Sequence, residues 1–449
     1  MIYNKHSFFF DITSILNNNI IRKYYYLFKT LDKIIQHTPI YRYSSTGRKP
    51  YSRLPFIRAF IIKTLENFTY VSQLITFLQN NPTIAYLCGF DDPFNLPHSS
   101  QFYRFLMNTN PDTIQHICSN AVKILQQNNC IDTSIISIDS KPILAYTKHN
   151  NFKNPNRITS NAKNPFKDKS RNYEATLGYY SAGANSSDDN DNKNIIFVWG
   201  YRIHIITDKN GIPIAFAIFK NNVKDHIAII EFTEHFHLHD LDFNTFFVLG
   251  DKAFDNSSFH NFVSTQFQAA AIVPLRKNTN QEKYYSTICP AGYQMKFDGK
   301  VKEKYRTRLK FRCPIITANK NEAKNLPASC PCGHPKFYRG KKYGCIKYID
   351  TKAQNRLSID RNSPFFKSTF KHRKAVERAF ANSHFLGIEN PTHFYFSSIK
   401  NFAAINILSQ LLVAVTAACV FNNKSKMRAY KTFTANAPPP DKINFEFAA

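Results

Sequence analysis

The stretch NIIFVWGYRIHIITDKNGIPIAFAIFK, residues 194–220, decides the fold of this chain. Two runs of β-branched and aromatic residues flank Lys209-Asn210-Gly211. An Asn-Gly pair between two such runs predicts a β-hairpin with a tight turn. Long apolar runs of this kind are typical of strands that lie inside a sheet. We therefore expect the hairpin to be part of a larger sheet.

Shorter strand and helix patterns alternate around the hairpin. SIISID (134–139), FFVLG (246–250) and AAAIVP (269–274) have the composition of strands, whereas DHIAIIEFTEHF (225–236) and SSFHNFVSTQF (257–267) have helical spacing. Strands that alternate with helices predict an α/β layer structure. The hairpin at its start indicates a mixed sheet flanked by helices.

Residues 1–130 are predicted to form a helical N-terminal domain. Segments such as LPFIRAFIIKTLENF (54–68) and YVSQLITFLQNN (70–81) have apolar residues three and four positions apart. GRKPYSR (47–53) adds a basic turn before them, and Pro97-His98-Ser99-Ser100 predicts a turn and helix cap. Two interpretations stay open, a helix-turn-helix-like DNA-binding unit and a helical bundle that serves only for packing.

The rest of the chain divides into four predicted segments. The first part of the α/β core spans 131–274 and includes a long polar loop or insertion between 148 and 194. A basic Cys-rich insertion at 275–365 interrupts this core, and its last part follows at 366–422. The tail at 423–449 should be disordered.

The segment FAAINILSQLLVAVTAACVF, residues 402–421, is long enough to cross a membrane. It nevertheless contains polar side chains at Asn406, Ser409, Gln410 and Thr416. A single segment of this kind in a basic chain favours a buried helix over 398–422. The N-terminal residues also lack the pattern of a secretory signal.

Composition indicates the class of partner. Lys and Arg outnumber Asp and Glu by 59 to 31, which gives the 449 residues a net charge of +28. Such an excess favours polyanions, and nucleic acid above all, although it also improves solubility. The hydrophobic fraction of 43% allows a large core and excludes global disorder.

Three acidic residues stand out against this basic background. Asp139 ends SIISID, Asp251 follows FFVLG, and Glu377 lies in the helical stretch HRKAVERAF (372–380). Acids at the ends of neighbouring strands and on a helix across them can hold two divalent ions about 3.5–4 Å apart. The pattern favours metal-dependent phosphoryl transfer on nucleic acid. Each acid taken alone would also suit a cap or a solvated strand end.

Four other acids compete for a role. Asp208 precedes the hairpin turn and is interpreted as a turn residue, and Asp255 as a cap for the following helix. Asp225 begins a helix and suits an N-cap, although it could also lie near the acidic site. Asp132 precedes the strand that Asp139 ends and should lie at the opposite end of the sheet.

Several motifs together resemble the DDE insertion-sequence transposases that have an InsH-like N-terminal domain and an RNase H-like catalytic domain. GRKPYSRLPFIRAFIIK, LCGF and PHSSQFYRF resemble parts of that N-terminal domain. IDSKPI, FVWGYRIHIITD, LGDKAFDN and RKAVERAFANSHFLGIENP resemble successive parts of the catalytic domain. The resemblance extends over roughly residues 47–422 and implies an RNase H-like α/β fold.

The resemblance also implies the chemistry. Asp139, Asp251 and Glu377 would be the catalytic, metal-binding triad for Mg²⁺, with Mn²⁺ as the alternative. The reaction would cleave double-stranded DNA at the terminal inverted repeats and transfer the released 3′-hydroxyl into target DNA. A homodimer is expected in the DNA complex, in the cytoplasm at the nucleoid, with no membrane partner.

Basic residues around Glu377 and near the N-terminus are the candidate DNA contacts. Related elements often have Tyr, then Arg three residues on, Glu four later and Lys seven beyond. This chain has Phe370, Arg373, Glu377 and His384 at those places, so Arg373 is the best candidate for a phosphate contact. The full set of candidate DNA contacts is Arg48, Lys49, Arg373, Lys374, Arg378 and His384.

The chain has nine cysteines, and five of them lie in the basic insertion. Four thiolates can hold a structural zinc ion and fold a segment that is too small for its own core. The spacing is irregular, so reduced buried cysteines remain the alternative, and a disulfide framework is not expected without secretion. The zinc candidates are Cys289, Cys313, Cys330, Cys332 and Cys345.

Two functions from other classes stay open beside the transposase. A DNA-binding protein derived from such an enzyme would need no triad, and the intact triad argues against it. A metal-dependent DNA nuclease would use the same three acids without strand transfer. Sequence patterns cannot separate the nuclease from the transposase.

Overall fold

The computed structural model describes most of the chain in two compact units. The first unit comprises residues 1–242 with 374–449, and the second comprises residues 243–373. The described residues are 18–36, 52–147, 150, 153, 172–182, 194–235, 244–276, 287–289, 291–303, 306–317, 344–350, 356 and 359–430.

Helices build the N-terminal part of the first unit, as the apolar spacing predicts. Their bounds are α1 (Asn19–Ile34), α2 (Arg53–Leu65), α3 (Val71–Asn80), α4 (Pro82–Cys88), α5 (Ser99–Asn108) and α6 (Pro111–Gln127). Aromatic rings fill the interior, where Phe56 packs edge-on against Phe102 with ring centroids 5.0 Å apart. The predicted turn at 97–100 is confirmed, because the His98 side chain accepts a hydrogen bond from Ser100 N at the start of α5.

Antiparallel strands form the sheet of the first unit. They are β1 (Ile135–Leu144), β2 (Thr176–Ala182), β3 (Asn194–Thr207) and β4 (Pro213–Lys220), followed by helix α7 (Asp225–His235). Strand β3 pairs with the other three strands. The predicted hairpin is therefore confirmed, and its turn includes Gly211 at φ +89°.

Two strand assignments differ from the sequence-based prediction. Strand β1 does not end at Asp139 but continues for five residues, because β3 is long enough to pair with it through Leu144 and Gly200. The segment between 148 and 194 is not only a loop, since β2 lies within it and pairs with the first half of β3. Composition did not predict β2, because the strand contains Gly178 and Ser181.

The apolar segment near the end of the chain is a buried core helix, as predicted. Helix α12 (Phe396–Val415) continues into a π-helical turn at Thr416–Val420 and packs against α6, α2 and α5. Of its polar residues, Asn401 Nδ2 donates to the carbonyls of Leu106 and Thr109, both at 2.8 Å. It is long and apolar enough to cross a membrane, yet 94% of its most apolar window is buried in the protein.

The second unit contains a parallel strand pair, β5 (Phe247–Leu249) and β6 (Ala270–Ile272), joined by helix α8 (Ser257–Gln266). The predicted strands and helix are confirmed here. In the Cys-rich insertion the structure adds an antiparallel sheet of β7 (Lys296–Glu303), β8 (Arg306–Arg312) and β9 (Ile346–Asp350). Short helices α9 (Pro314–Thr317) and α10 (Pro364–Phe370) complete the described part of this unit, and α11 (Lys374–Phe385) returns the chain to the first unit.

Candidate active site

Asp139 lies in the middle of β1, on a strand that backbone hydrogen bonds hold firmly. It pairs in register with Ile205 of β3, and its side chain is half-buried. The carboxylate Oδ1 accepts a hydrogen bond from Ser140 N at 2.8 Å. Since successive side chains of a strand point to opposite faces, Asp139 shares its face with Lys141.

Glu377 lies on α11, which packs against β1 and β3 in the same unit as Asp139. The helix buries Ala375, Val376, Ala379, Phe380 and Ser383 and leaves Glu377 exposed. Lys141 forms an ion pair with Glu389, which follows the helix, and Leu144 N donates to Glu389 O at 2.8 Å. Because Lys141 and Asp139 share a face, α11 ends on the side of the sheet that carries Asp139.

The start of α11 rests on the turn of the β3–β4 hairpin. A Cβ atom added to Gly211 would lie 2.7 Å from the carbonyl oxygen of Ala375, so only glycine fits this approach. The turn itself is organised by Asp208, whose carboxylate accepts hydrogen bonds from Asn210 N and Ile212 N at 3.0 and 2.7 Å. Asp208 is thus the predicted turn residue, and burial raises its pKa to about 6.

Asp251 belongs to the second unit and begins a short 3₁₀ helix at Lys252–Phe254. It follows β5 after Gly250, as predicted, and its Oδ1 accepts a hydrogen bond from Ala253 N at 2.7 Å. No ladder pairing extends over this loop in the described residues. Side chains from later in the chain hold it in place.

A buried ion pair anchors the loop that carries Asp251. Arg356 donates from Nε and Nη2 to the two carboxylate oxygens of Asp255, both at 2.7 Å. Arg276 adds its backbone N–H to the same carboxylate at 2.9 Å and its guanidinium to the carbonyls of Lys252 and Ala253. Burial alone would raise the pKa of Asp255, but the Arg356 hydrogen bonds outweigh it and lower the pKa.

The assignment of Asp255 as a cap for the following helix is therefore wrong. That helix, α8, is capped by Asn256, whose Oδ1 accepts from Phe259 N at 2.9 Å. Sequence spacing could not reveal the true role, because the partner Arg356 is 101 residues away. The sequence showed only that Asp255 comes directly after Lys252–Phe254 and shortly before the helix.

Family comparison identifies the kind of enzyme to which these acids belong. The Transposase DDE domain family matches residues 131–412, which is more than half of the chain, and the Transposase domain family (DUF772) matches residues 15–108. A comparison with curated proteins finds no match. The chain belongs to the DDE transposase family.

Membership confirms the RNase H-like α/β fold class and the resemblance seen in the sequence. The transposase is a DNA-acting nucleotidyl-transfer enzyme, and its family generally uses divalent metals such as Mg²⁺. The first match contains Asp139, Asp251 and Glu377, and the second contains the N-terminal helices α1 to α5.

A second polar cluster of the transposase lies on the other face of β1. Ser140 Oγ donates to Asp225 Oδ1 at 2.6 Å, and His204 Nε2 lies 3.0 Å from the same oxygen. The guanidinium of Arg202 is 3.2 Å from Ser140 Oγ and 3.6 Å from the carboxylate. Burial would raise the pKa of Asp225, but the hydrogen bond from His204 and the charge of Arg202 lower it to about 2.

This cluster shows the role of Asp225, for which the sequence allowed two interpretations, an N-cap or a residue near the acidic site. It occupies the first position of α7 and ties that helix to the residue next to Asp139. The signal in the sequence was the alternation Arg202–His204 on β3, which places two polar side chains on one face of a mostly apolar strand. Asp132, by contrast, pairs with Lys209 beside the hairpin turn.

The candidate DNA contacts fall into three groups. Lys374, Arg378 and His384 are exposed and share with Glu377 the face of α11 that is opposite its buried side chains. Arg373 is half-buried in the 3₁₀ turn Lys371–Arg373, directly before the helix begins. His384 Nδ1 lies 3.0 Å from Glu389. Arg48 and Lys49 lie outside the described residues.

The zinc candidates are only partly described. Cys289 and Cys313 are buried and Cys345 is half-buried, and Cys313 N donates to Cys345 O at 2.9 Å where β8 meets β9. Cys330 and Cys332 lie outside the described residues. Among the residues that are described, no group of three or more Cys, His, Asp or Glu forms a metal site.

Proposed function

We propose that the transposase cleaves phosphodiester bonds at insertion-sequence ends and joins the released 3′-hydroxyl to target DNA, with Asp139, Asp251 and Glu377 as its catalytic triad. The match to the Transposase DDE domain family over residues 131–412 carries the proposal, because all three acids lie within it. The side of the sheet that carries Asp139 also receives the end of α11, the helix of Glu377.

The donor chemistry of the triad suits Mg²⁺, with Mn²⁺ as the alternative. Hard divalent cations take carboxylate oxygens as ligands. When bound, such ions supply the charge that activates an attacking oxygen and stabilises a leaving oxygen in phosphoryl transfer. Asp139, Asp251 and Glu377 would contribute the carboxylate ligands.

The residues around the triad would position DNA. Lys374 and Arg378 place positive charge on the same exposed helix face as Glu377, where they would neutralise phosphates that flank the scissile bond. Arg373 would contact the DNA backbone directly before the helix begins, and His384 would contact it about two turns after Glu377. Arg48 and Lys49 would extend the contact from the N-terminal region.

The assembly and the domains follow the same proposal. Synapsis of two element ends would bring two copies of the chain together on DNA, in the cytoplasm at the nucleoid. The helical region 1–130 would bind DNA, and the core at 131–274 and 366–422 would carry the chemistry. The Cys-rich insertion at 275–365 would be stabilised either by a zinc ion or by burial of reduced cysteines. The predicted disorder of the tail at 423–449 does not hold for its described start, where Lys424–Lys426 form a 3₁₀ turn and Met427 and Tyr430 are buried.

The test supplies the full chain with DNA that carries the inverted repeats flanking its gene, in the presence of Mg²⁺. Wild type should produce cleaved ends and joined products. Asp139→Asn, Asp251→Asn and Glu377→Gln should each lose both by at least a hundredfold, while gel-shift assays without metal should find DNA binding retained.

The matched control is Asp132→Asn, a half-buried acid of the same unit that pairs with Lys209. It should cleave and join as wild type does. Cleavage by any of the three triad variants at the wild-type rate would contradict the assignment. Cutting without joined products would favour a nuclease, and binding without cutting would favour a non-catalytic DNA-binding protein.

A further inference from the structure

A cleft of about 530 Å³ opens on the first unit, and none of the acids described above lines it. Its volume lies within the range of sites for small organic groups, about 300–1,000 Å³. Aromatic side chains dominate the wall. The lining residues with large side chains include Tyr70, Tyr103, Arg104, Tyr146, Phe394 and Tyr395.

Helix α5 builds one wall from a single stripe of its surface. Ser100, Tyr103, Arg104 and Met107 follow the i, i+3, i+4, i+7 spacing that places side chains on one helix face. The opposite face is buried in the N-terminal bundle through Phe102, Phe105 and Leu106. The buried face therefore fixes the position of this wall. Tyr103 and Met107 are exposed on it although their side chains are largely apolar.

The facing wall comes from two chain segments with constrained backbones. Tyr146 is the second residue after β1, and its ring centroid lies 5.6 Å from that of Phe394. Tyr395 has φ +66°, a left-handed conformation that is strained for a bulky residue. Such strain is found where a side chain must point in one direction, at binding sites above all. Here it occurs at the residue before α12.

The polarity of the cleft is that of a site for an aromatic anion. Tyr70, Tyr103, Tyr146 and Tyr395 are 38–48% exposed, so their ring faces are accessible. Among the described lining residues none is acidic, and Arg104 makes no ion pair or hydrogen bond with any described group. His393 packs against Tyr103, and burial lowers its pKa to about 3, so it adds no charge.

We propose that this cleft holds an unstacked nucleotide of the DNA substrate, with its base against the tyrosine rings and its phosphate on Arg104. Bases stack on aromatic side chains whatever their sequence, and arginine adds attraction for the phosphate. The net charge of +28 favours binding of DNA, which is the substrate of the DDE transposase family. Unstacked nucleotides are present wherever that DNA is distorted or single-stranded at an element end. The inference rests on DNA being the substrate and concerns a site separate from the triad.

The experiment measures binding of a fluorescent oligothymidine and of a fully paired, blunt-ended duplex to the full-length protein without metal. Wild type should bind both. Tyr103→Ala combined with Tyr146→Ala should weaken oligothymidine binding about tenfold or more and leave duplex binding nearly unchanged. Arg104→Gln should weaken oligothymidine binding several-fold. Tyr103→Phe should bind as wild type, since it keeps the ring.

The matched control is Tyr179→Ala, which removes a 57%-exposed tyrosine of β2 that does not line the cleft. It should bind both ligands as wild type does. Equal oligothymidine binding by the double variant and wild type would overturn the proposal. Loss of self-association in sedimentation, with nucleic-acid binding intact, would also overturn it and assign the cleft to a second copy of the chain.

Failure of this inference and failure of the proposed function give different results. Asp139→Asn should still bind oligothymidine like wild type, because the cleft and the triad are separate. If Asp139→Asn abolishes cleavage while the tyrosine variants bind normally, only the cleft assignment fails. If Asp139→Asn cleaves normally while the tyrosine variants lose oligothymidine binding, only the triad assignment fails.

Discussion

Asp139 and Asp251 are supported by different kinds of structure. Asp139 sits inside a ten-residue strand, where ladder pairing with β3 and a polar cluster behind Ser140 both fix the backbone. Asp251 sits in a loop after a three-residue strand, and one Asp255–Arg356 pair with Arg276 fixes that loop. Many backbone and side-chain contacts fix the position of Asp139, whereas a few contacts to Asp255 fix the loop of Asp251. The loop should therefore be more sensitive to a single substitution.

The largest effect is expected for Arg356→Met, which leaves the carboxylate of Asp255 buried without its partner. Removing one member of a buried pair costs about 3–5 kcal/mol. Denaturant unfolding should show this loss of stability, and DNA cleavage should fall with it because Asp251 loses its anchored loop. Arg312→Met is the matched control, since Arg312 pairs with Asp298 and is 38% exposed, and it should cost much less stability because solvent screens the pair.

Wild-type stability in Arg356→Met would mean that the N–H of Arg276 satisfies Asp255 without help. The contrast between the two acids would then disappear. Arg361 donates to the backbone carbonyls of Arg356 at 2.6 Å and Val273 at 3.2 Å. These bonds remain in Arg356→Met, so the variant tests the Arg356 side chain alone.

A smaller effect is expected for Asp225→Asn, because the β-ladder around Asp139 remains. The folded pKa of Asp225, about 2, lies below its usual value of about 3.9. The ionised group therefore stabilises the fold above about pH 4, by roughly 2–3 kcal/mol, and this contribution is lost as the pH falls toward 2. Unfolding of wild type and variant should differ at neutral pH and converge in acid.

The control for this pH dependence is Asp132→Asn, whose partner Lys209 and own side chain are both more than a third exposed. Burial alone would raise the pKa of Asp132, but the hydrogen bonds from Ser134 and Lys209 lower it, so this variant should lose stability dependence in the same pH range but less of it than Asp225→Asn. An Asp225→Asn protein whose stability still falls as steeply as wild type between pH 4 and 2 would contradict the role given to Asp225.

Gly211→Ala should disturb the contact between the hairpin turn and α11. The new Cβ would lie 2.7 Å from Ala375 O, at a backbone φ of +89°. Gly292→Ala is matched in φ, at +85°, but its Cβ would meet nothing within 4 Å. The control should cost about 1 kcal/mol for the left-handed backbone alone. Gly211→Ala should cost at least about 1 kcal/mol more in denaturant unfolding, and equal costs would argue against a close contact.

The sequence predicted the elements better than it predicted their environment. The hairpin at 194–220, the strand before Asp251 and the helix of Glu377 were all predictable, because each rests on local spacing or turn chemistry. The length of β1 was not, since it depends on the pairing partner β3. The clamp of Asp255 by Arg356 was not either, because residues 101 positions apart leave no local pattern.

The smallest effect separates two basic residues that share the face of Glu377. Arg378 is exposed and has no ion pair or hydrogen bond in the described part of the chain, whereas His384 already pairs with Glu389 at 3.0 Å. Arg378→Ala should therefore lower the slope of log affinity for DNA against log salt by about one. His384→Ala should lower it less and should change the free energy of unfolding by less than about 1 kcal/mol, since its side chain is 62% exposed. An equal loss of slope in both variants would mean that DNA displaces Glu389 from His384, which would place the backbone of the substrate along the whole exposed face of α11.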